Sequence, residues 1–287
     1  MSRASQRARG ARLEDGGACA ALCLARQFTR ASRASILWPT SWGQAMRIHV
    51  INPNTTRSMT RKIAAAAKAA ASPGVEVTTV NPDYGPASIE GYFDEAFSVP
   101  GLIEEIGKAR DADAFVIACF DDTGLEPARC ATPAPVIGIG EAAFHMASLI
   151  AAKFSVVTTL SRSIVPIEHN LAKYGLLSRC ARVRAAEVPV LALEEAGSGA
   201  RMTIEREIEQ ALTHDGAEAI VLGCAGMTDL ARDLTRSAGV PVLDGVACAV
   251  SLAESLVRLG LKTSKRRTYA APLAKSYTGE FKRFSPR

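Results

Sequence analysis

The sequence predicts an α/β fold of two similar lobes with parallel sheets, related by a pseudo-twofold axis, with a functional site in the cleft between them. Three observations predict it. Continuous apolar strands alternate with helical stretches from Met46 onward. The pattern then repeats once, at an offset of about 105 residues. Each copy carries a cysteine at the end of an apolar strand. Strands that are apolar throughout, rather than alternating, belong to parallel sheets covered on both faces.

Taken in order, Arg47–Asn52 reads as a strand ending in the turn Asn52-Pro53-Asn54-Thr55. Thr56–Ala71 is a helix with a hydroxyl residue available as its cap. Val75–Val80 is the second strand, closed by Asn81-Pro82. Pro100–Arg110 reads as a helix, Ala114–Cys119 as a buried strand, Pro135–Ile139 as another strand and Glu141–Ala152 as a helix. Phe154–Thr158 opens the second lobe as a strand.

The repeat is visible residue by residue. Ala112–Cys119 lies on Ala217–Cys224, Pro135-Val136-Ile137 on Pro241-Val242-Leu243, and Glu141–Ile150 on Ala247–Leu256. Upstream, Ile48–Asn52 lies on Phe154–Thr158, and Val75–Val80 matches Val183–Val188 approximately. The expected organisation is therefore an N-terminal extension at 1–45, a first repeat at 46–152, a second at 153–261 and a basic tail at 262–287.

Composition limits the function. A chain that is 48% hydrophobic and 22% charged can bury a core and is not disordered. The net charge of +5 divides into +5 over residues 1–45, +7 over 262–287 and −7 over the body between them. Basic ends on an acidic body do not read as a nucleic-acid surface. The first 45 residues, Arg-rich and holding Cys19 and Cys23, read as a transit peptide or as an extension ahead of a start at Met46. The tail segments Lys262–Arg267 and Lys275–Arg287 read as solvated or subunit-contacting. Seven cysteines without a Cys-x-x-Cys pair, and four scattered histidines, predict neither a disulfide framework nor a metal. Reduced thiols fit a cytoplasmic protein, and no apolar run reaches the ~18 residues that a membrane span needs. Cys130 and Cys248 read as helix core residues, and Cys180 as a loop residue after Gly175.

Cys119 and Cys224 carry the chemistry. Ligands of open α/β sheets bind at the carboxyl ends of the strands, where both of these residues sit. Each precedes a turn and an expected helix start, whose free N–H groups and dipole favour a thiolate and bind a carboxylate or enolate oxygen. One such cysteine alone is usually a small buried hydrophobe. Two at equivalent ends of two repeats face each other across the cleft. That is the geometry of a two-base proton transfer, in which one thiolate removes a proton from one face of a carbon and the opposite thiol returns one to the other face.

Five stretches also carry a resemblance. They are Ile51–Thr55, Ala87–Gly91, Ile117–Asp121, Ser155–Leu160 and Val221–Met227. In that order, spread over about Met46 to Gly260, they resemble the aspartate/glutamate/hydantoin racemase superfamily, in particular its hydantoin and allantoin racemases. The resemblance implies two Rossmann-like lobes with the active site in the cleft between them, no metal, no pyridoxal phosphate or other cofactor, and a homo-oligomer. It assigns the acid/base pair to Cys119 and Cys224. It implies that Asn52, Thr158 and Thr159 hydrogen-bond the substrate ring or its carbonyl. Backbone N–H groups near Asp121, Ala225 and Gly226, with Phe120 beside them, would hold an enolate oxygen, and Ile89 would wall the side-chain pocket. Each of these has a plainer reading: Asn52 and Asp121 as helix caps, the threonines as strand residues, Ile89 as core.

No Arg or Lys stands beside either cysteine motif. That favours a neutral cyclic ureide, the small-molecule partner expected here, over an amino acid with a second carboxylate. The proton on C5 of a hydantoin is next to a ring carbonyl, so its removal leaves a stabilised enolate. The alternatives are an aspartate/glutamate-type racemase, a small-diacid isomerase or decarboxylase of the same superfamily, and a non-catalytic binding protein.

Overall fold

The computed structural model describes residues 45–195 and 197–286. The expected extension, apart from Ala45, and its Cys19 and Cys23 lie outside the described residues. Sixteen regular elements follow in the order β1 (Met46–Ile51), α1 (Arg57–Ala70), β2 (Val75–Val80), α2 (Tyr92–Lys108), β3 (Ala114–Ile117), α3 (Leu125–Ala131), β4 (Val136–Gly138), α4 (Ile139–Ile150), β5 (Phe154–Thr158), α5 (Ile164–Lys173), β6 (Cys180–Ala185), α6 (Ala200–His214), β7 (Ala219–Gly223), α7 (Ala231–Ala238), β8 (Val242–Leu243) and α8 (Gly245–Arg258).

The strands form two four-stranded sheets, ordered β2-β1-β3-β4 and β6-β5-β7-β8, with every pairing parallel. This is the expected pair of α/β lobes with the same topology. The registers repeat too: Ile48 pairs with Ala114 in the first sheet as Phe154 pairs with Ala219 in the second.

Both faces of the inner strands are buried, as their unbroken apolar runs require. Side chains still alternate between two layers. Ile48, Val50, Val116, Phe154, Val156 and Val221 point into a core shared by both lobes. Ile51, Phe115 and Ile117 point outward under α2, against Leu102 and Ile106. Val157, Ile220 and Leu222 do the same under α6, against Ile204 and Ile208.

The shared core arises from an exchange. Helix α4 ends the first repeat but packs on β7 of the second sheet, and α8 ends the second repeat but packs on β1 and β3 of the first. The two helices also pack on each other. Phe144 and Ala147 of α4 and Val246, Ala249 and Val250 of α8 are fully buried there. The lobes are thus interlocked rather than merely adjacent, which fixes the cleft between the strand ends.

Three local expectations need correction. Helix α2 starts at Tyr92 and carries Pro100 inside it, rather than starting at that proline. Asp94 and Glu95 in its first turn complement the helix dipole, and the helix continues past the proline, which removes one hydrogen bond, into turns that bury Leu102 and Ile106. Strand β6 begins at Cys180, so this residue is in a strand and not in a loop. Cys130 lies in α3 but is only partly buried, with its thiol against the Thr268 carbonyl at 3.5 Å. The tail is largely exposed, as expected, and is tied down at two points. Lys265 donates to the carbonyls of Arg129, Cys130 and Thr132, and Arg283 lies over the Tyr84 ring at 4.8 Å. Among the described residues no helix is long and apolar enough to cross a membrane.

Candidate active site

The carboxyl ends of β1, β3, β5 and β7 and the loops after β2 and β6 line one narrow, half-open cleft. Cys119, two residues past β3, and Cys224, immediately past β7, both line it. Asn54, Met59, Ile89, Ala118, Phe120 and Asp121 complete the wall from the first lobe, and Thr159, Ser163, Val190, Gly223 and Ala225 complete it from the second. No Lys, Arg or His is among these lining residues.

Each thiol has one local partner. Cys119 Sγ is 3.3 Å from the Thr123 hydroxyl, which can donate or accept. Cys224 Sγ accepts from the Gly226 N–H at 3.4 Å, a group that can only donate and so favours the thiolate. The expected helix N-termini are weaker than anticipated. Helix α3 begins at Leu125, well beyond Cys119, and Cys224 is followed by the single 3₁₀ turn Ala225–Met227. Burial dominates instead. It raises the Cys119 thiol well above its ordinary value, helped by the nearby Asp121 charge. It pushes the Cys224 thiol up to about 12. Both thiols therefore rest neutral, and either one, once deprotonated, is a stronger base than an ordinary thiolate.

The loop behind Cys119 is held rigidly. Asp122 adopts a φ of 53°, uncommon for a residue with a side chain, and its N–H donates to the Cys119 carbonyl at 3.0 Å. Its carboxylate accepts from the N–H groups of Gly140 (2.9 Å) and Glu141 (2.8 Å) at the start of α4, and from the Tyr174 hydroxyl (2.8 Å). Burial still pushes this carboxyl up to about 7. The carboxylate fills the space where a side chain at Gly138 would sit, since a Cβ there would lie 2.0 Å from Asp122 Oδ1. One acid therefore ties the cysteine loop, the exchanged helix and α5 of the other lobe together.

Polar bonds across the cleft mouth bring the lobes together around the site. The Val190 N–H donates to Glu90 Oε1 at 2.9 Å, next to Ile89. Lys62 donates to the Leu193 carbonyl at 2.9 Å and pairs with Glu194 at 3.0 Å. Asn170 donates from α5 to the Asp121 carbonyl at 2.7 Å.

Of the residues singled out from sequence, Cys119, Cys224, Ile89, Phe120, Asp121, Thr159 and Ala225 converge on the cleft. Phe120 is 3% exposed, and its ring packs edge-on against Phe144. Asn52, Thr158 and Gly226 do not line it. Asn52 is fully buried and bonds to Asn54 Oδ1 (2.9 Å) and Thr60 Oγ1 (3.0 Å), shaping the turn that presents Asn54. Thr158 is fully buried and donates to the Gly223 carbonyl at 3.0 Å. Gly226 acts through Cys224. Asn54, Met59, Ser163 and Val190 escaped the sequence reading, although Asn54 stands within the quoted Asn52–Thr55 turn.

Comparison with known proteins agrees with the two-lobed fold. The family described as Asp/Glu/Hydantoin racemase matches residues 48–253. A hydantoin racemase of Rhizobium meliloti is 50% identical over 236 residues, covering 82% of this chain and 98% of that protein. An allantoin racemase structure from Klebsiella pneumoniae superposes with a TM-score of 0.82 at 48% identity, covering 84% of this chain and all (100%) of that one. The allantoin racemase of Pseudomonas fluorescens superposes at 0.78 with 44% identity, covering 82% of this chain and 100% of that one.

Proposed function

We propose, from the premise that the chain belongs to the Asp/Glu/hydantoin racemase family, that it interconverts the enantiomers of 5-substituted hydantoins, allantoin among them, by proton transfer between two thiols. Its similarity to hydantoin and allantoin racemases supports the reaction class. The observation that carries the mechanism is the presence of Cys119 and Cys224 at equivalent strand ends on one cleft without a cation.

The ring lies between the two sulfurs with C5 toward both. Once one thiol has given its proton to solvent, the resulting thiolate takes the C5 proton, and the electron pair left behind delocalises onto the adjacent ring carbonyl as an enolate. The opposite thiol then delivers its proton to the other face of C5. The next turnover of the other enantiomer runs in the reverse sense, so each cysteine is base for one enantiomer and acid for the other. General acid–base transfer of this kind contributes ~10²–10⁴-fold. Backbone N–H groups around Asp121 and Ala225 supply the donors that an enolate oxygen needs. The apolar walls Met59, Ile89 and Val190 exclude water, which strengthens those donors.

The test follows optical rotation in deuterated buffer with no added cofactor, using L-5-benzylhydantoin and S-allantoin. The expected result is loss of rotation with one deuterium gained at C5, and the faster substrate identifies the preferred substituent. Folded, reduced protein that leaves both substrates optically stable and unlabelled overturns the proposal.

A further inference from the structure

The cleft holds one ionisable group that the two-thiol scheme does not use, the side chain of Asp121. It is the single carboxylate among the lining residues, and no cation lines the cleft to neutralise it. Its one hydrogen-bond donor is the Ser163 hydroxyl, at 3.2 Å to Oδ2, and Asn170 fixes its main-chain carbonyl separately. The other carboxylate oxygen has acceptor capacity to spare. Burial and the Glu95 charge push its carboxyl up to about 7; once ionised, the group is costly inside a pocket whose other task is to form a thiolate, because its charge opposes ionisation of both cysteines. A buried acceptor kept at that cost needs a donor from the ligand.

A cyclic ureide brings such donors. Its ring carries two N–H groups, and it has no carboxylate. Resting on the racemase reading above, we infer that the Asp121 carboxylate accepts a hydrogen bond from a ring N–H of the substrate, with Ser163 aiming it, and that it makes the site selective for the closed ring against ligands bearing a carboxylate. Free amino acids and the open-chain N-carbamoyl amino acids fall in the excluded class. The donor bond fixes the ring's rotation in its own plane, which brings C5 between the sulfurs. The repulsion keeps ring-opened acids from occupying the cleft.

Two measurements test this. On the wild-type protein, 1-methyl- and 3-methyl-5-benzylhydantoin are compared with the parent ring by C5 deuterium exchange. Methylation of one of the two nitrogens should raise KM at least tenfold, because a site built to bond an N–H rejects the analogue that lacks it. In Asp121→Ala, whose main-chain bond to Asn170 is preserved, that penalty should shrink to threefold or less. In Asp121→Asn, an N-carbamoyl amino acid should inhibit at least tenfold more tightly than in wild type. A wild type that racemises the parent ring but tolerates methylation of both nitrogens overturns the inference and leaves the racemase reading intact. So does an Asp121→Asn variant that binds the open-chain acid no better. A wild type that exchanges no hydantoin proton overturns the racemase reading itself, and this inference with it.

Discussion

The helices that follow β4 and β8 begin at equivalent points of the two lobes, yet their N-termini are satisfied in different ways. In the second lobe Asp244 stands directly before α8 and caps it locally, accepting from the Val246 and Ala247 N–H groups at 3.0 Å each. In the first lobe the matching position is Gly138, and the acid is Asp122, brought from the loop behind Cys119. The scaffold is repeated but the support of the two cysteines is not. The Cys119 loop is tied into the interlocked core through Asp122 and Tyr174. Cys224 rests on its own 3₁₀ turn. A pseudo-twofold scaffold is one way to oppose an acid and a base, whereas orienting an asymmetric ring requires that the two sides differ.

The largest expected effects test the symmetry of the chemistry. Cys119→Ser and Cys224→Ser should each lower racemisation by ~10³-fold or more, in line with the loss of an acid–base partner. Yet each variant should still exchange the C5 proton of one enantiomer, and the two should favour opposite enantiomers. Proton NMR of each pure enantiomer in deuterated buffer reads this directly. Exchange of the same enantiomer by both variants would break the two-base assignment.

The next comparison concerns the resting thiols. Since burial raises both, their thiolate fractions should grow about tenfold per pH unit, with no plateau where an ordinary cysteine near pH 8.5 would level off. The sign is fixed: alkylation is slow at neutral pH and faster as pH rises. Peptide-resolved mass spectrometry after iodoacetamide at pH 7, 8, 9 and 10 follows Cys119 and Cys224 separately. A plateau below pH 9 at either site would mean that a local donor outweighs burial there.

How much of this was legible beforehand depends on the range of the forces involved. The strands were legible because burial on both faces writes an unbroken apolar run such as Ala114–Ile117 or Ala219–Leu222. The two cysteines were legible because the offset places them at the same point of two repeats. The start of α2 was hidden, since Tyr92, Phe93 and Phe97 are exposed aromatics that give no apolar stripe, and Pro100 mimics a first-turn residue. The exchange of α4 and α8 leaves no local mark, because an apolar helix face is equally satisfied by either sheet. Ser163, Val190 and the reach of Asp122 depend on contacts far apart in sequence, which neither spacing nor propensity encodes.

The capping difference predicts unequal stability losses. Asp122→Ala should cost about 2–3 kcal/mol, because it strands two helix N–H groups and the hydroxyl of the half-buried Tyr174. Asp244→Ala should cost about 1 kcal/mol, the usual loss of a local cap. Gly138→Ala should behave like Asp122→Ala, because its methyl displaces the same carboxylate. Urea titrations of the three variants would rank them. Equal losses for Asp122 and Asp244 would show that the long-range cap carries no more than a local one.

The smallest effect comes from a feature that the first lobe has and the second, among the described residues, lacks. The Lys265 ammonium gathers the carbonyls of Arg129 (2.8 Å), Cys130 (2.9 Å) and Thr132 (3.2 Å) at the carboxyl end of α3, where a helix leaves acceptors without partners. A cation there also complements the dipole. Lys265→Met keeps the stem but removes the donor, so it should lower stability by about 1 kcal/mol, a fall in Tm of roughly 2–4 °C for a body of this size. Racemisation should be unaffected, because α3 and the tail stand outside the cleft lining. Calorimetry and a rate assay on the same sample separate the two effects. A Tm shift accompanied by a slower rate would mean that the strap also steadies the Cys119 loop, only six residues ahead of α3.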